Sequence, residues 1–209
     1  MALTGIFLCL FLVIHLLGNL QLLLPADRAR TSFNGYSHFL SGNLLIKIIE
    51  LVLFGSILAH MLYALLLTLK SRKANGTGYA YDRRKAASKW VSRNMGLLGV
   101  LILLFLIIHL KDFWYQYKFG SIPVDEKGHT DLYSIVVVAY KQLWYVLVYL
   151  AGIAALGLHL LHGFHSAART LGLYHPAYSK MITVIGWLYT LLITAGFMLI
   201  PVYIYFNQS

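Results

Sequence analysis

Five stretches of this chain are each long and apolar enough to cross a lipid bilayer, and this constrains the fold more than any other feature. A transmembrane helix needs about 20 mostly apolar residues at about 1.5 Å rise each. The stretches run from about 2 to 24, 43 to 69, 94 to 115, 143 to 169 and 181 to 206. The first stops at Pro25, and the second follows the turn-prone Ser41-Gly42-Asn43. Only 11% of the residues are charged, against about 25% in a soluble domain. That excludes a soluble enzyme, a disordered tail and a nucleic-acid module, in spite of a formal net charge of +10. The single cysteine, Cys9, excludes an intrachain disulfide and a Cys-built zinc or iron–sulfur site. With no internal repeat and no soluble domain, residues 1–209 read as one all-α domain, a five-transmembrane-helix bundle. The spans read as uninterrupted, their backbone groups satisfied within each helix. The first lacks a basic leader and a small-residue cleavage site, so it reads as a retained helix rather than a cleaved signal peptide.

The connecting segments orient this bundle. The second, from Lys70 to Arg93, has eight basic residues against Asp82, a net of +7, and the fourth carries a net of +2 from Arg169 and Lys180. The first nets +1, and the third balances its lysines with Asp112, Asp125, Glu126 and Asp131. The positive-inside rule then places the N-terminus in the cytoplasm and the C-terminus outside. Trp90, Trp114 and Tyr115 read as interfacial belt residues.

Chemistry enters with the histidines inside the spans: His15 in the first, His60 in the second, His109 in the third, and His159, His162 and His165 in the fourth. A buried imidazole without a partner costs about 1–3 kcal/mol. One in each of four consecutive spans is hard to explain as isolated helix–helix hydrogen bonds. Counted from the span ends, His15 and His109 lie about 13 and 9 Å below the outer surface. His60 and His159 lie about 13 and 15 Å from the inner one. Two facing imidazoles at one depth suit bis-histidine haem ligation, and two depths imply two haems. A zinc or di-iron site would instead gather three or four ligands at one depth, usually with carboxylates. His159 is taken as the inner ligand because its depth matches His60. His162 is the alternative, or with His165 an interfacial or propionate-side group.

The segments from Met1 through His15 to Leu20 and from His159 through His162 and Arg169 to Gly172, with His60 and His109 between them, resemble the cytochrome b subunit of succinate:quinone oxidoreductases. More narrowly they resemble the single-subunit, five-helix, two-haem anchor of the Bacteroidetes type, over essentially the whole chain. Such anchors usually carry a short polar segment before the first span, whereas this chain opens directly in the helix. The resemblance implies two b haems, a distal one held by His15 and His109 and a proximal one by His60 and His159. It implies quinone, menaquinone in particular, as substrate, and a place in the bacterial cytoplasmic membrane. It also implies partners on the cytoplasmic face: a flavoprotein subunit, which carries the succinate or fumarate chemistry, and an iron–sulfur subunit. The family works as succinate dehydrogenase or as fumarate reductase.

Glu50 is read as a carboxylate about 10 Å below the outer surface, near the level of His15 and His109, where it could carry a proton in quinone chemistry. The alternative puts quinone at the inner haem, with His162 or Arg169 nearby. Two further readings stay open: a di-haem cytochrome b of another quinone-linked dehydrogenase, such as hydrogenase or formate dehydrogenase, and a non-haem transporter whose histidines relay protons.

Overall fold

The computed structural model describes residues 1–74, 90–173 and 175–207. Arg83, Arg84, Lys85 and Lys89, half of the basic residues between the second and third spans, lie outside the described residues. Five helices are long and apolar enough to span a membrane, over Ala2–Leu23, Leu44–Ser71, Met95–Phe119, Leu143–Thr170 and Ser179–Asn207.

Helix α1 (Ala2–Asn19) tightens into a 3-10 turn, Leu20–Leu23, and ends at Leu24 in extended backbone. Pro25 enforces this, because its ring disfavours a helical residue before it. The same proline starts α2 (Ala26–Gly42), a helix that the sequence reading left as a connection. Asn43 separates α2 from α3 (Leu44–Ala74) and caps α3, its Oδ1 accepting from the backbone N–H groups of Leu45 at 2.9 Å and Ile46 at 3.4 Å. After a short turn, Trp90–Arg93, α4 runs over Met95–His109. It continues through a π-helical turn, Leu110–Tyr115, to Gln116–Phe119.

The third span therefore extends beyond the expected end at 115, and Lys111, Asp112 and Lys118, counted above as loop charges, are helical. The span stays one continuous helix, as expected, with a wide turn directly after His109. Asp131 caps the short α5 (Leu132–Tyr140), likewise unexpected, by accepting from Ser134 N at 3.3 Å. Helix α6 (Leu143–Thr170) ends in a Schellman motif: Leu173 N donates to Ala168 O at 2.9 Å and Gly172 N to Arg169 O at 3.1 Å, with Gly172 at φ 72°. Helix α7 (Ser179–Asn207) contains Pro201, buried in the bundle.

Close helix approach depends on small residues. A Cβ at Gly157 would meet Thr194 Oγ1 at 2.7 Å, and one at Gly152 would collide with the Phe105 ring, so α7 and α4 lie tight against α6. The largest buried cluster sits toward one end of the bundle, where α2 and α5 close over it through Phe33, Tyr133, Val136 and Tyr140. This is the cap end; the N-terminus of α1 marks the other. Helix α3 is different in kind, with none of its most apolar window buried.

Candidate functional site

The four expected histidines meet as two pairs. At the cap end, His15 of α1 and His109 of α4 face each other with ring centroids 5.7 Å apart and planes at 89°. Toward the opposite end, His60 of α3 and His159 of α6 stand 6.3 Å apart at 64°. Two helices act as rulers between the levels. Thr4 lies beside His60 and precedes His15 on α1 by eleven positions, about 16 Å along the axis. Tyr149 lies beside His109 and precedes His159 on α6 by ten positions, about 15 Å. All four rings line one cavity of about 2090 Å³ between α1, α3, α4 and α6. A site for one small ligand usually encloses about 300–1,000 Å³, so the space suits two sizeable groups.

The spacing can be compared with two readings of the pairs. A direct imidazole–imidazole hydrogen bond would join the rings, and none does in either pair among the described residues. A metal held between two imidazole nitrogens, each bonded at about 2 Å, puts the ring centroids about 6 Å apart, which matches both pairs. Each group would then have two protein ligands, in keeping with the finding that no three His, Cys, Asp or Glu among the described residues gather into a metal-holding group. A bis-histidine haem fits this donor set; a zinc or di-iron centre does not.

A ligating histidine donates its second ring nitrogen to an acceptor, and two of the four face one: His60 Nδ1 lies 3.1 Å from Thr4 Oγ1 and His109 Nδ1 3.4 Å from the Tyr149 hydroxyl, whereas His15 Nδ1 faces the donor Asn19 Nδ2 at 3.4 Å. The buried Nδ1 of His159 has no hydrogen-bond partner among the described residues. Aromatic rings enclose the cap-end pair: Phe11 stacks on His15 at 5.2 Å and Phe105 on His109 at 5.8 Å.

The other expected residues fall at different places. His162 lines the cavity one turn beyond His159, but the ring standing against His60 is that of His159. His165 sits 2.7 Å from its own helix's Leu161 carbonyl oxygen. Arg169 lies exposed near the end of α6. Glu50 lines the cavity toward the cap end but is not alone: Trp114 Nε1 donates to its Oε1 at 2.6 Å and Lys118 Nζ to its Oε2 at 2.9 Å. Trp114, read as a belt residue, thus holds a carboxylate. Trp114 lies within the expected span, whereas Lys118 reaches Glu50 because the helix continues past residue 115.

Comparison of the chain with protein families, curated proteins and solved structures finds no match.

Proposed function

We propose that this protein is the membrane-anchor and electron-transfer subunit of a succinate:quinone oxidoreductase, acting as succinate dehydrogenase or fumarate reductase. The observation that carries the reading is the meeting of His15 with His109 and of His60 with His159 at two levels of one cavity. A proton-relay transporter would string its histidines along a single path, whereas these are paired across it. In this reading His15 and His109 hold one b haem, and His60 and His159 the other. When bound, each haem supplies a reversible one-electron change at its iron. The chain fixes the four imidazoles on separate helices and walls the cavity with apolar side chains that exclude water. Glu50, with Lys118 beside it, holds or releases one of the two protons that quinone takes up with two electrons. The cap end faces outside and the opposite end faces the cytoplasm of a bacterial inner membrane, where a flavoprotein and an iron–sulfur protein dock.

The test is a reduced-minus-oxidised absorption spectrum of the purified chain, with haem quantitation of His60→Ala and His109→Ala. Two low-spin b haems per wild-type chain and one in each variant are expected. Two haems retained in both variants would refute the ligand assignment. Copurification with a flavoprotein and an iron–sulfur protein separates this reading from an anchor for hydrogenase or formate dehydrogenase.

A further inference from the structure

A chain of hydroxyls leads away from the cap-end histidine pair. Tyr149 and Tyr145 are both buried on α6, one turn apart, with stacked rings 4.8 Å between centroids. Their hydroxyls lie 3.2 Å apart. The Tyr145 hydroxyl donates to Asp112 Oδ2 at 3.0 Å, and the Tyr149 hydroxyl stands 3.4 Å from His109 Nδ1. Asp112 belongs to the π-helical turn that follows His109, and π turns inside helices often mark functional sites.

The chemistry of the far end gives this chain a direction. Lys111 Nζ lies 3.4 Å from the other carboxylate oxygen, so Asp112 is an ion-paired acceptor. A carboxylate only accepts, and each phenol has one proton to give. Tyr145 is placed to donate to Asp112 at 3.0 Å or to Tyr149 at 3.2 Å; its single proton goes to the shorter contact with the ion-paired carboxylate, which leaves Tyr149 as the donor between the two phenols. The Tyr149 oxygen is then left to accept, and what it faces is His109 Nδ1. We infer that the Asp112–Tyr145–Tyr149 relay holds His109 in the tautomer protonated at Nδ1, keeps the Nε2 lone pair for the cavity, and polarises the ring toward imidazolate character. The other level has no carboxylate-ended counterpart among the described residues: the His159 Nδ1 has no partner there, and the Thr4 hydroxyl beside His60 donates to the neutral Met1 carbonyl at 2.9 Å. The two levels therefore differ in the electron-donating strength of their histidines, and the cap-end pair favours the oxidised state of whatever metal it holds more strongly than its own unpolarised form would. Tyr149, Tyr145 and Asp112 are positioning residues in this scheme, acting through His109.

The inference rests on the two-haem reading, and the experiment separates them. Redox titration of the purified chain is followed at the haem absorption bands in wild type, Tyr149→Phe and Asp112→Asn, with His60→Ala combined to isolate the cap-end haem. Tyr149→Phe is expected to raise the midpoint potential of the cap-end haem, with both haems retained and the other potential unmoved. Asp112→Asn is expected to raise it too, by less, and decides the matter alone should Tyr149→Phe not fold. Tyr189→Phe, which deletes a hydroxyl that donates to the Cys9 carbonyl and has no part in the relay, is the control and leaves the potentials alone. Unchanged cap-end potentials, or equal shifts in both haems, overturn the relay while the two-haem reading stands. Wild-type protein without haem overturns that reading and the relay together.

Discussion

Glycine at 152 illustrates how single residues govern the site from a distance. Its missing Cβ admits the Phe105 ring, and Phe105 stacks on His109. Gly152→Ala is therefore expected to cost about 1–3 kcal/mol through overpacking and to displace His109. Haem quantitation should show selective loss of the cap-end haem, the His60–His159 level surviving. Glu50 makes the second residue-scale prediction. Glu50→Gln keeps the shape and an acceptor for Trp114 but removes the exchangeable proton and the charge facing Lys118. Quinone-linked turnover of the assembled complex should fall at least about a hundredfold, the low end of what a positioned acid–base group contributes, roughly 10²–10⁴, while oxidation of succinate with an artificial acceptor continues. The ligand-type histidines were legible in the sequence because a polar ring inside an apolar run stands out and its depth can be counted. Their supports were not. Thr4, Asn19, Tyr145 and Tyr149 are unremarkable in their own helices and acquire meaning only from neighbours as many as 56 positions away.

Among the elements, the cap owes its cohesion to one buried carboxylate. Asp131 accepts from Arg30 Nη2 at 2.6 Å, Ser134 Oγ at 2.6 Å and Asn34 Nδ2 at 2.8 Å, and Asn34 Oδ1 in turn accepts from Tyr133 N at 2.9 Å. This network ties α2 to α5. Burial pushes the Asp131 carboxyl up, but the hydrogen bonds from Arg30, Ser134 and Asn34 outweigh it and hold it at about 2. The folded value lies below the ordinary one of about 3.9. Its contribution is therefore fully present above that ordinary value and is lost as pH falls toward 2. A depression of that size is worth about 2 kcal/mol. Hydrogen exchange of the purified chain should show α2 and α5 amides losing protection between about pH 4 and 2, ahead of the spans. Asp131→Asn should abolish that pH dependence. The five spans were readable because length and apolarity suffice. Helix α2 was not: its Gly35, Gly42, serines and Asn34 are weak helix formers. It is held by burying Ala29, Phe33 and Asn34 against the rest of the cap, a tertiary effect no local pattern announces. The run past Tyr115 was missed for another reason: Lys111, Asp112 and Lys118 resemble loop charges until Glu50 and Tyr145 supply their partners.

For the whole molecule, the proposed orientation has a direct check. In a Cys9→Ser background, a cysteine at Lys127 on the cap end should react with a membrane-impermeant maleimide on intact cells. One at Leu173, past the end of α6, should react only after permeabilisation. The reverse pattern would invert the bundle and exchange which histidine pair faces the soluble partners. The asymmetry of the packing bears on how such a molecule is built. Helices α1, α4, α6 and α7 pack on one another through small residues, whereas α3 carries two of the cavity's polar groups, His60 and Glu50, yet buries nothing across its apolar window. Its polar and aromatic ties among the described residues include the Thr4–His60 contact, the His60–His159 ring pair, the Glu50 pair with Trp114 and Lys118, and Phe54 against Trp114 at 5.0 Å. In lipid, where apolar surface alone does not draw helices together, α3 behaves as a door rather than a wall. On the two-haem proposal biogenesis would have an order: the other four helices assembling first, the haems entering sideways from the bilayer, and α3 latching last through its histidine. Cysteine pairs between α1 and α3 should cross-link in haem-replete cells and far less in haem-starved ones, which would make this helix the checkpoint between an inserted chain and a finished one.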